Sequence, residues 1–184
     1  MSIRPVHPSF RHGVALMALS ILAGCAGTGS REPINTVDYV DLPRFMGDWY
    51  VIANIPTFVE KGAHNAVESY RLDDDGTIDT TFTFREDSFD GKQKTYNPRG
   101  FVYDTESNAI WGMQFVWPFK GDYRIVYLDE EYTQTAIGRN KRDYVWIMAR
   151  TPSIPDADYR RIVAYLGEQG YDTSRIEKVP QRWK

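Results

Sequence analysis

Apolar and polar residues alternate along most of the chain. In the first such run, Trp49, Val51, Ala53 and Ile55 fall on one side and the residues between them on the other. This period of two predicts a strand with one buried face. Further alternating runs occupy residues 66–72, 77–86, 92–104, 109–117, 122–128, 133–138 and 143–150. Eight strands are therefore predicted, with Pro98 indicating an edge or a bulge in the fourth.

The connections between these runs are short and rich in turn-forming residues. The DDDG sequence of residues 73–76 is a strong hairpin signal, and TESN, PFKG, DEEY and RNKR separate later runs. No helical crossover interrupts the series. The pattern therefore predicts an all-β domain in which the strands form an antiparallel meander.

The period changes after Pro155. Tyr159, Ile162, Val163 and Leu166 recur at helical spacing, and Gly170 closes the segment. This pattern predicts one amphipathic helix that packs on the outside of the sheet. A last short strand at residues 176–179 is expected to pair with an open sheet edge, and residues 41–47 to form a helical turn before the first strand.

The N-terminal segment differs from the rest in charge and hydropathy. Arg4 and Arg11 precede a ten-residue apolar run at residues 14–23, which is shorter than the 20 or so residues needed to span a bilayer. This layout is typical of a secretory signal peptide. The run ends in LAGC, which resembles the lipobox of bacterial lipoproteins and implies cleavage before Cys25, the only cysteine, followed by its lipidation. Ala26 after this cysteine favours the outer membrane.

Length and charge restrict the remaining possibilities. With 184 residues and 42% apolar content, the chain is long enough for one domain with a substantial core. Its net charge of −3 provides no basic surface for nucleic acid. The predicted organisation is a signal peptide at residues 1–24, a lipidated cysteine with a flexible tether at 25–36, and one domain at 37–184.

Three motifs in order suggest a family. GDW at residues 47–49 resembles the Gly-x-Trp signature at the start of the first lipocalin strand. YLDEEY at 127–132 is similar to the motif at the turn between strands six and seven, and RDYVWIMARTP at 142–152 to the last-strand motif, with Arg150 as its arginine. With the lipobox, the resemblance is to bacterial outer-membrane lipocalins, relatives of apolipoprotein D. It implies an eight-stranded up-and-down barrel with one C-terminal helix outside.

In such a barrel, Trp49 and Arg150 are expected to close the base. A guanidinium stacked on an indole gains cation–π energy of about 0.5–2 kcal/mol, and nearby carbonyls can accept its hydrogen bonds. The interior above them is predicted to be a ligand cavity, although side chains that fill the barrel are the alternative. The predicted ligand-binding residues are aromatic or apolar: Tyr70, Phe82, Phe84, Phe101, Tyr103, Trp111, Met113, Phe115, Tyr123 and Trp146.

Other chemistry has little support in the sequence. After removal of the signal peptide, His64 is the only histidine, so neither a His/Cys metal site nor a histidine-based triad can be assembled. No phosphate-binding or dinucleotide-binding motif is present, and no cofactor is predicted. Glu68 is expected to point outward or to form an ion pair, with an inward position beside Tyr70 as the alternative.

The leading functional hypothesis is a non-enzymatic carrier of fatty acids or lysophospholipids in the cell envelope, lipid-anchored to the outer membrane with its domain facing the periplasm. Exposed apolar residues in the loops PTFVEKG and FVWPFKG are candidates for contact with a membrane. An isomerase-type enzyme that uses Glu68 with Tyr70 or Tyr103 is an alternative, as is a protein-interaction module with a filled barrel. Whether the chain forms a homodimer stays open.

Overall fold

Ten β-strands form one antiparallel sheet in the computed structural model, which describes residue 1 and residues 32–183. The strands are β1 (Gly47–Ile55), β2 (Ala63–Leu72), β3 (Thr77–Glu86), β4 (Gln93–Tyr96), β5 (Arg99–Val102), β6 (Ile110–Val116), β7 (Phe119–Leu128), β8 (Gln134–Gly138), β9 (Val145–Ala149) and β10 (Glu177–Lys178). The helices are α1 (Leu42–Phe45) and α2 (Asp156–Glu168), and a 3₁₀ turn covers Thr173–Arg175.

The sheet closes on itself. β1 pairs with β2 on one side and with β9 on the other, and each intervening strand pairs with its neighbour in the chain. β4 and β5 both pair with β3 and are two parts of one strand that is interrupted at Asn97 and Pro98. The fold is therefore an eight-stranded antiparallel barrel followed by one helix, as the sequence predicts.

Local sequence accounts for most of these elements. In β3, Ile78, Thr80, Phe82 and Phe84 are buried while the residues between them are not, as expected for a strand with one face toward a core. The predicted DDDG hairpin is confirmed. Its Gly76 has a φ of +79°, which glycine adopts without steric cost.

Two apolar cores lie on opposite sides of the barrel wall. The first lies inside the barrel and contains Trp49, Ile78, Trp111 and Met148. The second lies outside, where Ile162 and Leu166 of α2 are fully buried against the outward side chains of the wall. The helix thus covers wall residues that would otherwise face water.

The base of the barrel is plugged by α1 and two side chains of the predicted motifs. The guanidinium carbon of Arg150 lies 3.8 Å from the centre of the Trp49 ring. Its nitrogens donate hydrogen bonds to the carbonyl oxygens of Arg44, Phe45, Asp48 and Tyr132 at 2.8–3.3 Å. The indole nitrogen of Trp49 donates to the Phe45 carbonyl at 2.8 Å. Arg150 thereby joins α1, β1 and the turn between β7 and β8.

The C-terminal segment completes the upper wall. β1 pairs with β2 only over residues 47–50, and β10 pairs with Ala53 and Asn54 beyond that point. The Gln181 side chain then donates hydrogen bonds to the carbonyls of Val51 on β1 and Ala66 on β2. The predicted last strand therefore bridges the gap that opens between the first two strands.

The N-terminal boundary of the packed domain lies before the predicted position. Ile34 is buried in the outer core and its amide donates to the Asn140 side chain, while Arg142 donates to the Glu32 carbonyl. The Ile34 side chain and the Glu32 backbone thus contact the domain, within the stretch that is predicted as a tether. The predicted signal peptide, Cys25 and the first part of the tether lie outside the described residues. Within residues 32–183, no helix is long and apolar enough to cross a membrane.

We expect Arg150→Lys to lower the free energy of unfolding by about 2 kcal/mol, because lysine keeps the charge but cannot reach the same carbonyls while stacked on Trp49. Urea unfolding monitored by circular dichroism measures the loss. Arg160→Lys, at an exposed position on α2, is the control and should leave the midpoint unchanged. Equal midpoints for the two variants would contradict the role of Arg150.

Candidate ligand cavity

A cavity of about 450 Å³ lies above the plugged base and opens at the opposite end of the barrel. This volume is within the range of small-molecule sites. Most of its surface is apolar or aromatic, with a small number of polar side chains. The lining residues are Thr57, Phe58, Val59, Glu60, Glu68, Phe82, Tyr96, Asn97, Pro98, Met113, Phe115, Val116, Gly121, Asp122, Tyr123, Arg139 and Trp146.

The wall is formed by inward side chains of the barrel strands. Phe82 pairs in register with Tyr96, so the two rings lie side by side, with centres 6.4 Å apart. Across the barrel, Trp146 donates its indole N–H to the Glu60 carboxylate at 2.8 Å. Glu60 also accepts from the Thr57 amide at 2.8 Å. The loop between β1 and β2 is thereby tied to the wall that it overhangs.

Exposed apolar side chains surround the opening. Phe58 in the β1–β2 loop has 85% of its surface exposed, and Phe115 and Val116 at the end of β6 are also exposed. Trp117 and Phe119 continue the same hairpin and are 82% and 76% exposed. Lone exposed apolar residues are common, but a group around a cavity opening is typical of an interaction surface.

The floor of the cavity is polar. Glu68, on β2, accepts a hydrogen bond from the Tyr70 hydroxyl, and the Tyr70 and Tyr123 hydroxyls are 2.6 Å apart. Below them, the Trp111 ring stacks on Tyr123 with centres 5.1 Å apart, and Phe45 packs edge-on against Trp111. The hydroxyl and carboxyl groups thus lie between the open cavity and the aromatic plug.

Burial changes the acidity of these groups. Desolvation is the main cause that raises the pKa of Glu68 from 4.5 to about 7, and the negative charge of Glu60 adds to it, although the hydrogen bond from Tyr70 opposes the rise. Desolvation and the charge of Glu68 likewise raise the pKa of Tyr70 and of Tyr123. The two phenols therefore stay neutral, while Glu68 changes charge near neutral pH.

The predicted ligand-binding residues fall into three groups. Phe82, Met113, Phe115, Tyr123 and Trp146 line the cavity. Tyr70 and Trp111 are buried beneath it, and Phe84 packs on Phe82 and Tyr96 beside a separate groove. Direct contact of any of these side chains with a ligand stays a prediction.

The predicted inward positions of Phe101 and Tyr103 are wrong. Tyr103 is 58% exposed and lies across the outer side of Gly112, and the Lys120 ammonium lies 3.4 Å from the centre of the Phe101 ring. The inward residues of β5 are Gly100, which packs on Ile78, and Val102. One face of this stretch carries Arg99, Phe101 and Tyr103, and the other carries Gly100 and Val102. The large apolar side chains thus lie on the outer face, and their hydrophobicity alone predicts the wrong side.

Glu68 is the functional candidate whose predicted orientation is also wrong. It is 8% exposed and lines the cavity, beside the inward Tyr70. Its register partners are Trp49 on β1 and Phe82 on β3, both of which point inward. Tyr70, two residues later on the same strand, indicates an inward Glu68 by alternation. The cost of burying a carboxylate favours the outward position that was predicted. The predicted pairing of Glu68 with Tyr103 does not form.

Glu60, Tyr96 and Arg139 are lining residues that the sequence did not single out. Glu60 and Arg139 lie outside the strands, where no period constrains their direction. Tyr96 lies just before the interruption of the fourth strand. Among residues 32–183, no group of three acidic, histidine or cysteine side chains is placed to hold a metal ion.

A second groove, of about 610 Å³, lies on the outside, between the turn after β3 and the C-terminal segment. Arg85, Asp90, Arg182 and Trp183 contribute to its lining, and Arg182 stacks on Phe89. Arg85, Asp90 and Arg182 make three of its nine lining residues charged, whereas the cavity in the barrel is lined mostly by apolar and aromatic side chains. The enclosed apolar cavity is therefore the stronger candidate for a hydrophobic ligand.

We expect Glu68→Gln to stabilise the protein at high pH and not at low pH. Because the folded state raises the pKa of Glu68, its stabilising proton is retained below pH 4.5, and stability falls as pH rises toward about 7. Glutamine removes this loss, which is on the order of 3 kcal/mol above pH 7 or so. Urea unfolding over this pH range measures it, with Glu177→Gln on exposed β10 as the control. A gain that does not vary with pH would contradict the buried titration.

Comparisons with known proteins agree with this geometry. A family model described as a lipocalin-like domain matches residues 40–181. The outer membrane lipoprotein Blc of Citrobacter freundii is 29% identical over 167 residues, which cover 91% of this chain and 94% of that protein. Temperature-induced lipocalin-1 of Arabidopsis thaliana is 31% identical over 160 residues, which cover 82% of this chain and 84% of the plant protein.

Solved structures show the same fold at lower identity. Insecticyanin from the tobacco hornworm Manduca sexta has a TM-score of 0.64 at 12% identity, covering 82% of this chain and 85% of its own. The cockroach allergen Per a 4 has a TM-score of 0.62 at 19% identity, covering 80% and 92%. Because the family model spans most of the chain and the barrel agrees with it, the protein belongs to the lipocalin-like domain family.

Proposed function

We propose that the protein is a lipid-anchored carrier that binds fatty acids or lysophospholipids and stores or transports them in the cell envelope. The observation that carries this proposal is the cavity of about 450 Å³, which has an apolar wall, a closed base and an open end. A barrel filled by its own side chains would leave no such volume. The cavity therefore favours a binding protein over an interaction module with a solid core.

The energetics of such a cavity favour an acyl chain. Each methylene that leaves water for an apolar wall contributes about 0.8 kcal/mol. Phe82, Met113, Trp146 and Val59 supply the apolar contacts, and the opening beside Phe115 lets one end of a longer chain extend outward. A single-chain lipid satisfies both the narrow wall and the open end.

The apolar rim supports exchange of the ligand with a membrane. Phe58 and Val59 come from the loop between β1 and β2, and Val116, Trp117 and Phe119 from the hairpin between β6 and β7. Contact of these side chains with a lipid surface would place the cavity opening against the source of the ligand.

The anchor is proposed from the N-terminal sequence and from relatives. The chain carries the LAGC sequence that ends at Cys25, and the relatives from Citrobacter freundii and Escherichia coli are named outer membrane lipoproteins. Multiple acyl chains on one cysteine give stable attachment. The proposed location is the outer membrane, with the barrel on the periplasmic side.

Binding without catalysis is the proposed activity. Of the two tyrosines considered as acid–base partners of Glu68, Tyr103 lies on the outer surface and only Tyr70 contacts the carboxylate. Tyr70 is buried beneath the cavity, so a bound molecule would meet Glu68 and Tyr123 instead.

We expect Met113→Trp to weaken binding of palmitate about tenfold or more, because the larger ring occupies the space of the ligand. Isothermal titration calorimetry of the folded domain measures the change, and a thermal melt establishes that the variant is folded. Tyr103→Trp, on the outside of the neighbouring strand, is the matched control and should bind as the native protein does. Unchanged affinity in the folded Met113 variant would refute the cavity as the binding site.

We also expect Cys25→Ala to abolish incorporation of labelled palmitate and to release the protein from the membrane fraction. Incorporation is followed by autoradiography of cells that express the full chain, and location by fractionation. Label that persists in the variant would refute the lipidation of this cysteine.

A further inference from the structure

The cavity has a charged floor beneath an apolar wall. Glu68 and Tyr123 both line the cavity, and Tyr70 connects them from below. A buried carboxylate without adequate hydrogen bonds costs several kcal/mol, so its retention in a hydrophobic cavity needs a physical explanation. A well-packed barrel floor could be built from apolar residues alone, as in the cluster of Phe45, Trp49 and Trp111 beneath it.

Among residues 32–183, no positively charged side chain compensates Glu68. From its own strand it is faced by Tyr70, from β7 by Tyr123 and from the β1–β2 loop by Glu60, while its partners on β1 and β3 are Trp49 and Phe82. Arg150 lies on the far side of Trp49 and donates to four backbone carbonyls. The floor is therefore negative when Glu68 is ionised.

Arg139, the cation of the cavity lining, forms an ion pair with Asp143, although its buried Nε makes no hydrogen bond to the described residues. Its Nε lies 3.5 Å from the Asp143 carboxylate, and its guanidinium lies 5.2 Å from the centre of the Tyr144 ring. Asp122, which also lines the cavity, pairs with Arg124 at 2.9 Å. Glu68 alone among these carboxylates has neither a cation nor a backbone donor.

The direction of the hydrogen bonds shows which groups remain free. The Tyr70 hydroxyl donates its hydrogen bond to Glu68, so in the 2.6 Å contact between the phenols Tyr123 is the donor and Tyr70 the acceptor. A carboxylate offers about four acceptor positions, and Tyr70 occupies one. The oxygens of Glu68 and Tyr123 that face the cavity are therefore acceptors without donors.

We propose that Glu68 and Tyr123 form a head-group subsite that selects single-chain amphiphiles ending in an ammonium group over those ending in a carboxylate. This inference rests on the proposed function and narrows its ligand class. An ammonium group supplies hydrogen-bond donors and a positive charge to the two free acceptors. A carboxylate at the same place would bring two negative charges together in a medium of low dielectric.

The subsite also sets the orientation of the ligand. The head group lies on the floor, and the alkyl chain runs along Phe82, Met113 and Trp146 toward the apolar rim. A chain longer than the cavity then leaves through the opening beside Phe58 and Phe115, where exposed apolar side chains cover it. Polar floor and apolar rim are thus explained by one binding mode.

The test compares three probes of equal chain length: dodecylammonium, laurate and neutral dodecanol. Affinities are measured by calorimetry at about pH 6 and about pH 8.5, on either side of the Glu68 titration. We expect native protein to prefer dodecylammonium over laurate about tenfold or more at the higher pH, and the preference to shrink at the lower pH as Glu68 gains a proton.

Variants separate the subsite from general effects. Glu68→Gln keeps the side-chain shape and the hydrogen bond from Tyr70, but should abolish the preference for dodecylammonium over laurate. Tyr123→Phe should lower the affinity for dodecylammonium more than the affinity for dodecanol. Glu177→Gln removes an exposed carboxylate and should change nothing. The affinities for lysophosphatidylethanolamine and lysophosphatidylglycerol, which lacks an ammonium group, are then compared. Tighter binding of the ethanolamine lipid would identify such a lipid as the source of the ammonium group, and equal binding would favour a simple amine.

The outcomes separate the two proposals. Dodecanol binding without preference between the charged probes, or a preference that persists in both Glu68→Gln and Tyr123→Phe, would overturn the subsite and leave the carrier function intact. Absence of binding by all three probes and by palmitate would overturn the carrier function itself.

Discussion

The stack of Arg150 on Trp49 is the interaction on which the rest of the structure depends. A β-barrel is open at both ends unless side chains or loops cover them. In this chain, which has a single cysteine, no intrachain disulfide can help to cover the base. The guanidinium satisfies carbonyls from α1, β1 and the turn before β8, while its face covers a fully buried indole. An unpaired charge at this depth would be costly, but four of the five guanidinium N–H groups donate to backbone carbonyls. The barrel is therefore closed at the base and open at the other end.

Above the seal, side-chain size divides the interior into filled and open parts. Phe45, Trp49 and Trp111 fill the base of the barrel. Above them, Met113 and Trp146 line the open cavity. Glu68, Tyr70 and Tyr123 lie at the boundary between the two. A polar group placed there would meet the end of a bound chain rather than its length, which is the physical basis of the proposed selection by head group.

The rim and the outer wall divide their tasks. β10, Gln181 and α2 stabilise the wall from outside, and the β1–β2 separation is bridged by hydrogen bonds from the C-terminal segment. The loops at the opening consequently need not hold the barrel together. They carry exposed aromatic side chains, which are typical of an interaction surface.

The sequence by itself determined the strands, the tight turns, the outer helix and the identity of the plug, because each depends on local period or on short motifs. Only the tertiary structure decided which face of β5 is buried, since Gly100 packs against Ile78 while the larger Phe101 and Tyr103 lie on the outer face. It also placed Glu68 inside, through register with Trp49 and Phe82, against the ordinary cost of burying a carboxylate. Cavity volume likewise depends on how side chains from six strands meet across space, which no local pattern records.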